Sequence, residues 1–332
     1  MKKCNLIPMI SGCVGMLVII LDGQTAINSV RDALSMCLNT LIPSLFPFFI
    51  LSSLVTASLA GRPIEPLRSV CNFCRIRIGS ESLLAVGILG GYPVGAANIV
   101  TELKQGRLSN EEAQRMAVFC NNAGPSFIFG ILGPLFPNTM WVILLWLIQI
   151  TSSVLTGHVL PGGSSNQMIP GYAKDVTISD SLSRGIRSMS LVCGWVILFR
   201  MILAFLGRWI LWILPETLQI LITGLLELSN GCLALSALQD DFVRFLLAGM
   251  MLSLGGICVW MQTQAVFPEL NLSRYIVGRM IHSSICFILS VMTMPLLTEI
   301  SSQAVIFSGF IALFAILVLS LLLQKQKKAV AF

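Results

Sequence analysis

The sequence predicts an all-α polytopic membrane protein, with about eight transmembrane helices and two re-entrant hairpins in an inverted-topology repeat. Three observations lead there. Of 332 residues, 55% are hydrophobic and 11% charged, about half the charged share of a soluble domain. The apolar residues fall in long blocks, with a mean hydropathy of +0.86. The blocks on either side of a polar middle stretch also follow one order and enter the membrane from opposite sides.

The first block, 5–21, follows Lys2 and Lys3 and resembles a signal peptide. No small-x-small cleavage site closes it, so it reads as a retained span. Blocks long enough to cross about 30 Å of hydrocarbon follow at 33–60, 139–159, 188–207, 242–262, 275–298 and 303–323, with one more at 116–137 broken by Gly124-Pro125. The stretches 82–100 and 217–239 are interrupted by Gly, Pro or Asn clusters and read as re-entrant hairpins. Irregular backbone at membrane depth is tolerated only inside protein or along a cavity, so the hairpins point to an interior site.

The expected organisation is an N-terminal membrane helix (1–30), a first repeat (31–160), a cytoplasmic linker rich in Gly, Ser and Asn (161–186), a second repeat (187–300), and a C-terminal membrane helix with a basic tail (301–332). Threading this parse through a bilayer puts both termini in the cytoplasm of a multi-pass cell-membrane protein. All but four of the 21 Lys and Arg then lie inside, Arg279 among the loop charges, with Arg200 left within the bilayer.

The same composition sets aside soluble enzymes and nucleic-acid binders, because the net charge of +6 is spread through short loops. His158 and His282 lack an HExxH setting or a nucleophile partner, so no enzyme and no cofactor is expected. Of the ten Cys, Cys71 and Cys74 form a CxxC, which alone is half a zinc site and reads as structural. Expected partners are membrane lipid and a small-molecule solute, with a homo-oligomer as an open option and no nucleic acid.

Four segments carry the candidate site. Gly91, Tyr92, Pro93 and Gly95 lie in a Gly/Pro cluster that cannot sustain a helix, so its amides could meet a ligand or form a tight turn for close helix approach. Asn121, Asn122 and Gly124 break the span 116–137; the carboxamides could bind a solute or join helices. Ser109 to Glu112 has capping-box spacing and starts the helix that leads there. The second hairpin supplies Glu227, Ser229 and Asn230, and the following span Gly255, Gly256 and Gln262. An intramembrane carboxyl suggests coupling or a partner for a base, while at the interface it would cost little. Arg200 is the sharpest anomaly, set to pair with Glu227 or to bind an anion.

At Gly90 to Ala96, Phe119 to Pro125, Gly224 to Gly231 and Gly255 to Gln262 the chain resembles the sporulation integral membrane proteins that carry nucleoside-recognition, or Gate, domains. The resemblance runs from about residue 30 to the C-terminus. It implies a polytopic membrane protein of spore-forming bacteria, in a group with a member associated with dipicolinic acid passage into the spore. The expectation is a transporter of a small polar, anionic, dipicolinate-like solute. In it Asn121, Asn122 and Asn230 contact the solute, Gly91 and Gly95 offer amides, Arg200 neutralises charge, and Glu227 orients Arg200 or carries a coupling proton. Alternatives are a nucleoside or other metabolite transporter, or a membrane scaffold for spore-envelope maturation.

Overall fold

The computed structural model of the chain describes residues 6–59, 64–162 and 177–299, and every regular element among them is helical. The protein is an all-α polytopic membrane protein. Helix α1 (Leu6–Leu21) leads into α2 (Gly23–Met36), a π turn (Cys37–Leu41) and α3 (Ile42–Leu59). Asp22 caps α2 by accepting from the Thr25 amide at 3.3 Å and its hydroxyl at 2.8 Å. Ala26, Ser29 and Ala33 then give α2 a buried face at helical spacing. The result is one rod, Gly23–Val55, that starts ahead of the expected 33–60 block.

Then come α4 (Glu65–Phe73) and the hairpin α5 (Glu81–Leu89) and α6 (Val94–Lys104). Next is α7 (Asn110–Phe119), started by the full Ser109/Glu112 capping box, and after a break the short α8 (Pro125–Phe127) with a π turn to Leu132. Helix α9 (Thr139–Val159) closes the first half. The second half holds α10 (Ile178–Trp209), the hairpin α11 (Glu216–Leu226) and α12 (Leu228–Ala234), the broken pair α13 (Asp241–Leu254) and α14 (Gly256–Val266), and α15 (Leu272–Glu299). Both halves thus run helix, hairpin, broken helix, helix.

Among the described residues five helices are long and apolar enough to cross a membrane: Gly23–Val55, Thr139–Val159, Ile178–Trp209, Asp241–Val266 and Leu272–Thr293. The count departs from eight for three reasons. The first block gives only the shorter apolar helix Met9–Leu21, and Gly124-Pro125 divides 116–137 into pieces too short to cross alone. The block 303–323 lies outside the described residues. Helix α10 also begins inside the stretch read as linker, because Thr177 and Asp180 form a capping box.

Helix α10 runs antiparallel to the first rod. Gly185, near its start, faces Phe46 and Ile50 of α3, while Arg208, near its end, pairs with Asp22 at 3.2 Å. On the other side α15 packs on α13 and α9. Hairpins and breaks fill the space between these stacks, with α5 and α8 against α3 and α14 against α10 and α15. In the α4 region Cys71 and Cys74 are buried, and burial pushes the Cys74 thiol up to about 12.

Candidate functional site

Each hairpin closes on the break of its own half through glycine. A Cβ on Gly91 would come within 3.1 Å of the Gly124 amide, and one on Gly124 within 3.0 Å of the Gly91 amide. In the second half a Cβ on Gly256 would reach the Gly224 carbonyl at 2.7 Å, and one on Gly231 would overlap the Gly224 Cα. Consecutive left-handed residues, Gly255 (φ 83°) and Gly256 (φ 72°), make the second break. Only residues without a Cβ let these backbones approach so closely.

Between the four segments lies a cavity of about 30 Å³, room for about one water. Gly91, Tyr92, Gly124, Glu227, Ser229 and Gln262 line it. Glu227 is 1% exposed and caps α12, its carboxylate accepting from the Ser229 amide (3.0 Å), the Asn230 amide (2.7 Å) and Asn230 Nδ2 (2.6 Å). These donors and the positive end of α12 stand in for a counter-cation. Arg200 does not touch Glu227. It donates from Nη1 to Asn230 Oδ1 at 2.9 Å and lies 3.7 Å from Asp32 across a larger cavity of about 400 Å³. Asn230 therefore links the arginine to the acid.

A second intramembrane arginine organises the opposite wall. Arg279, two turns into α15, is fully buried. Its Nη1 donates to the Val118 carbonyl (3.0 Å), the Asn121 carbonyl (3.2 Å) and Asn122 Oδ1 (3.0 Å). Its Nη2 donates to the Leu252 carbonyl (3.2 Å) and the Tyr92 hydroxyl, and the guanidinium lies 5.4 Å from the Tyr92 ring centre. Val118 and Leu252 belong to the last turns of α7 and α13, so one cation serves the negative ends of both half-helices.

Over 297 residues the chain is 25% identical to Sporulation integral membrane protein YlbJ of Bacillus subtilis (strain 168), covering 75% of this chain and 72% of that relative. This is a membrane protein related to a sporulation integral membrane protein. No protein-family profile matches the chain. No solved structure matches it.

Of the residues singled out in sequence, Gly91, Tyr92, Gly124, Glu227, Ser229 and Gln262 meet at the small cavity. The others stand behind it or apart from it. Asn121 donates to Thr263 Oγ1 at 3.0 Å and accepts from the Ala96 amide at 3.2 Å; Asn122 donates to Ser153 Oγ at 3.1 Å and the Phe119 carbonyl at 2.8 Å. Both carboxamides are spent on joining helices. A Cβ on Gly95 would overlap the Cys120 carbonyl, so this glycine serves close packing. Pro93 is the residue before α6, and Gly255 lies beside the Tyr92 hydroxyl.

The block 188–207 would put Arg200 near the middle of its span. The helix spans Ile178–Trp209, which puts Arg200 in its last third, at the 400 Å³ cavity. The largest correction concerns Arg279, counted as a loop charge but sealed in the interior. His282, expected to lack a nucleophile partner, has its Nε2 2.9 Å from Ser152 Oγ, and Gln149, not singled out in the sequence, donates to the Gly249 carbonyl at 2.9 Å. The available signal was spacing. Arg279, His282, Ser283, Cys286 and Ser290 fall on one face of α15, and Gln149, Ser152, Ser153 and Thr156 on one face of α9.

Proposed function

We propose that the protein transports a small polar, anionic organic solute of dipicolinate type across a bacterial membrane during sporulation. One observation carries this reading: both hairpin tips, the first helix break and the half-helix that follows the second break meet at one interior cavity, the arrangement in which discontinuous helices of secondary transporters hold their solute. The repeated order of elements supports an inverted-topology repeat of Gate type, with both termini cytoplasmic. Arg200, which the protein holds by one hydrogen bond to Asn230, favours an anion over a neutral nucleoside. The small cavity then corresponds to a closed state, with Glu227 as the group that carries a coupling charge, and the relative's sporulation name agrees with this setting. No chemical step is assigned, and the chain works without a cofactor.

Flux into proteoliposomes tests the reading, with radiolabelled dipicolinate and nucleosides offered separately. Dipicolinate is expected to accumulate above the level in empty liposomes. Nucleoside flux without dipicolinate flux would replace the solute class, and no flux of any solute would favour a scaffold of the spore envelope.

A further inference from the structure

The 400 Å³ cavity at Arg200 is separate from the cavity between the hairpin tips. Helix α2 contributes Asn28, Ser29 and Asp32 to it, α10 contributes Arg200, and α11 contributes Gln219 and Thr223. Its volume lies within the range of small-molecule sites, about 300–1,000 Å³. The wall is polar, and within it stands one guanidinium whose hydrogen bonding is incomplete. Nη1 is held by Asn230. Nη2 has Asp32 at 3.7 Å, beyond hydrogen-bond length. Asp32 is 66% exposed and Arg200 38% exposed, so protein packing holds neither side chain firmly in this long pair.

We propose that this cavity is a second solute site, selective for carboxylate-bearing small molecules, in which Asp32 is an internal competitor that an incoming carboxylate displaces from Arg200. A guanidinium edge presents parallel donors that match a carboxylate in two bonds, a geometry the distant Asp32 does not reach. The bound carboxylate takes the place of the Asp32 side chain, which swings aside because little protein packing holds it. The site also reports inward. Asn230 takes the Arg200 donor on its oxygen and gives its own Nδ2 to Glu227 at 2.6 Å. Whatever moves Arg200 therefore turns Asn230 and loosens the carboxylate at the central cavity.

The inference rests on the solute of the transport reading being a carboxylate, but it is tested by binding and not by flux. The probe is radiolabelled pyridine-2,6-dicarboxylate, titrated onto the full chain in nanodiscs of neutral lipid. Arg200→Ala is expected to weaken binding by about tenfold or more and Arg200→Lys by nearly as much, since the fork is lost while the charge stays. Asp32→Asn is expected to tighten it by about threefold to tenfold, as removal of a weak competitor would. Equal affinity in wild type and Arg200→Ala, or weaker binding in Asp32→Asn, would overturn the proposal.

A lipid headgroup offers a similar oxyanion, so the titration is repeated in phosphatidylglycerol nanodiscs. If anionic lipid abolishes dicarboxylate binding and co-purifies with wild type but not with Arg200→Ala, the cavity holds lipid and the solute assignment falls. Binding without flux leaves the second site standing and removes the transport reading. Flux without Arg200-dependent binding does the reverse.

Discussion

Arg200 and Arg279 both lie on membrane helices, and they are used in opposite ways. Arg279 is fully buried and all its hydrogen-bond partners are neutral: three carbonyls, a carboxamide and a hydroxyl. Its charge is balanced by the ends of two interrupted helices, so it is part of the framework. Arg200 has one firm bond, to Asn230, and a loose acid across an open cavity. A charge locked by backbone can hold breaks together, whereas a charge with a free edge can exchange partners. The contrast teaches that rarity in a span does not by itself mark a ligand site; what decides is how far the protein's own acceptors hold the cation, and for Arg279 they take both terminal nitrogens and leave only Nε without a partner.

Replacing Arg279 breaks this comparison most severely. Arg279→Leu leaves several buried acceptors without a donor, at about 1–3 kcal/mol each. The variant is expected to lose most of its monodisperse peak in size-exclusion chromatography, and Arg279→Lys to recover only part of it because an ammonium cannot span both breaks. A folded Arg279→Leu with the wild-type melting temperature would show that the breaks hold without the cation.

Overpacking the glycine contacts tests the same framework at a smaller scale. Gly231→Ala and Gly256→Ala are each expected to cost about 1–3 kcal/mol, seen as a lower melting temperature in detergent. Gly12→Ala, whose added Cβ meets nothing within 4 Å, serves as the control. The smallest effect on stability belongs to Arg200→Ala, within about 1 kcal/mol because its ion pair is exposed. That variant should still melt near wild type yet transport dipicolinate more slowly, and unchanged dipicolinate flux would remove Arg200 from the transport path.

Much of the site was legible because helix breakers leave a chemical trace. Gly90 to Gly95, Asn121 to Pro125, Glu227 to Gly231 and Gly255-Gly256 each marked an interruption, and the structure has a tip or break at all four. What these residues touch was less legible. Asn121 and Asn122 look alike in sequence whether they face a solute or Thr263 and Ser153, since a carboxamide suits both. Arg279 was hidden by position, close enough to Arg274 and the start of its span to pass for a loop charge. Its meaning depends on Val118 and Leu252, which are remote in sequence and contribute only carbonyls. Backbone acceptors have no letter in a sequence, so a cation that binds them cannot be told from one that faces water.

The glycine seams also set how the molecule could open. Where Gly91 meets Gly124 and Gly224 meets Gly256, backbone lies against backbone, and in the second seam the Met251 side chain also packs on Gly224. Such joints resemble polished plates more than gears. They can close around a space no bigger than a water molecule, and the second can part only as the flexible Met251 side chain gives way.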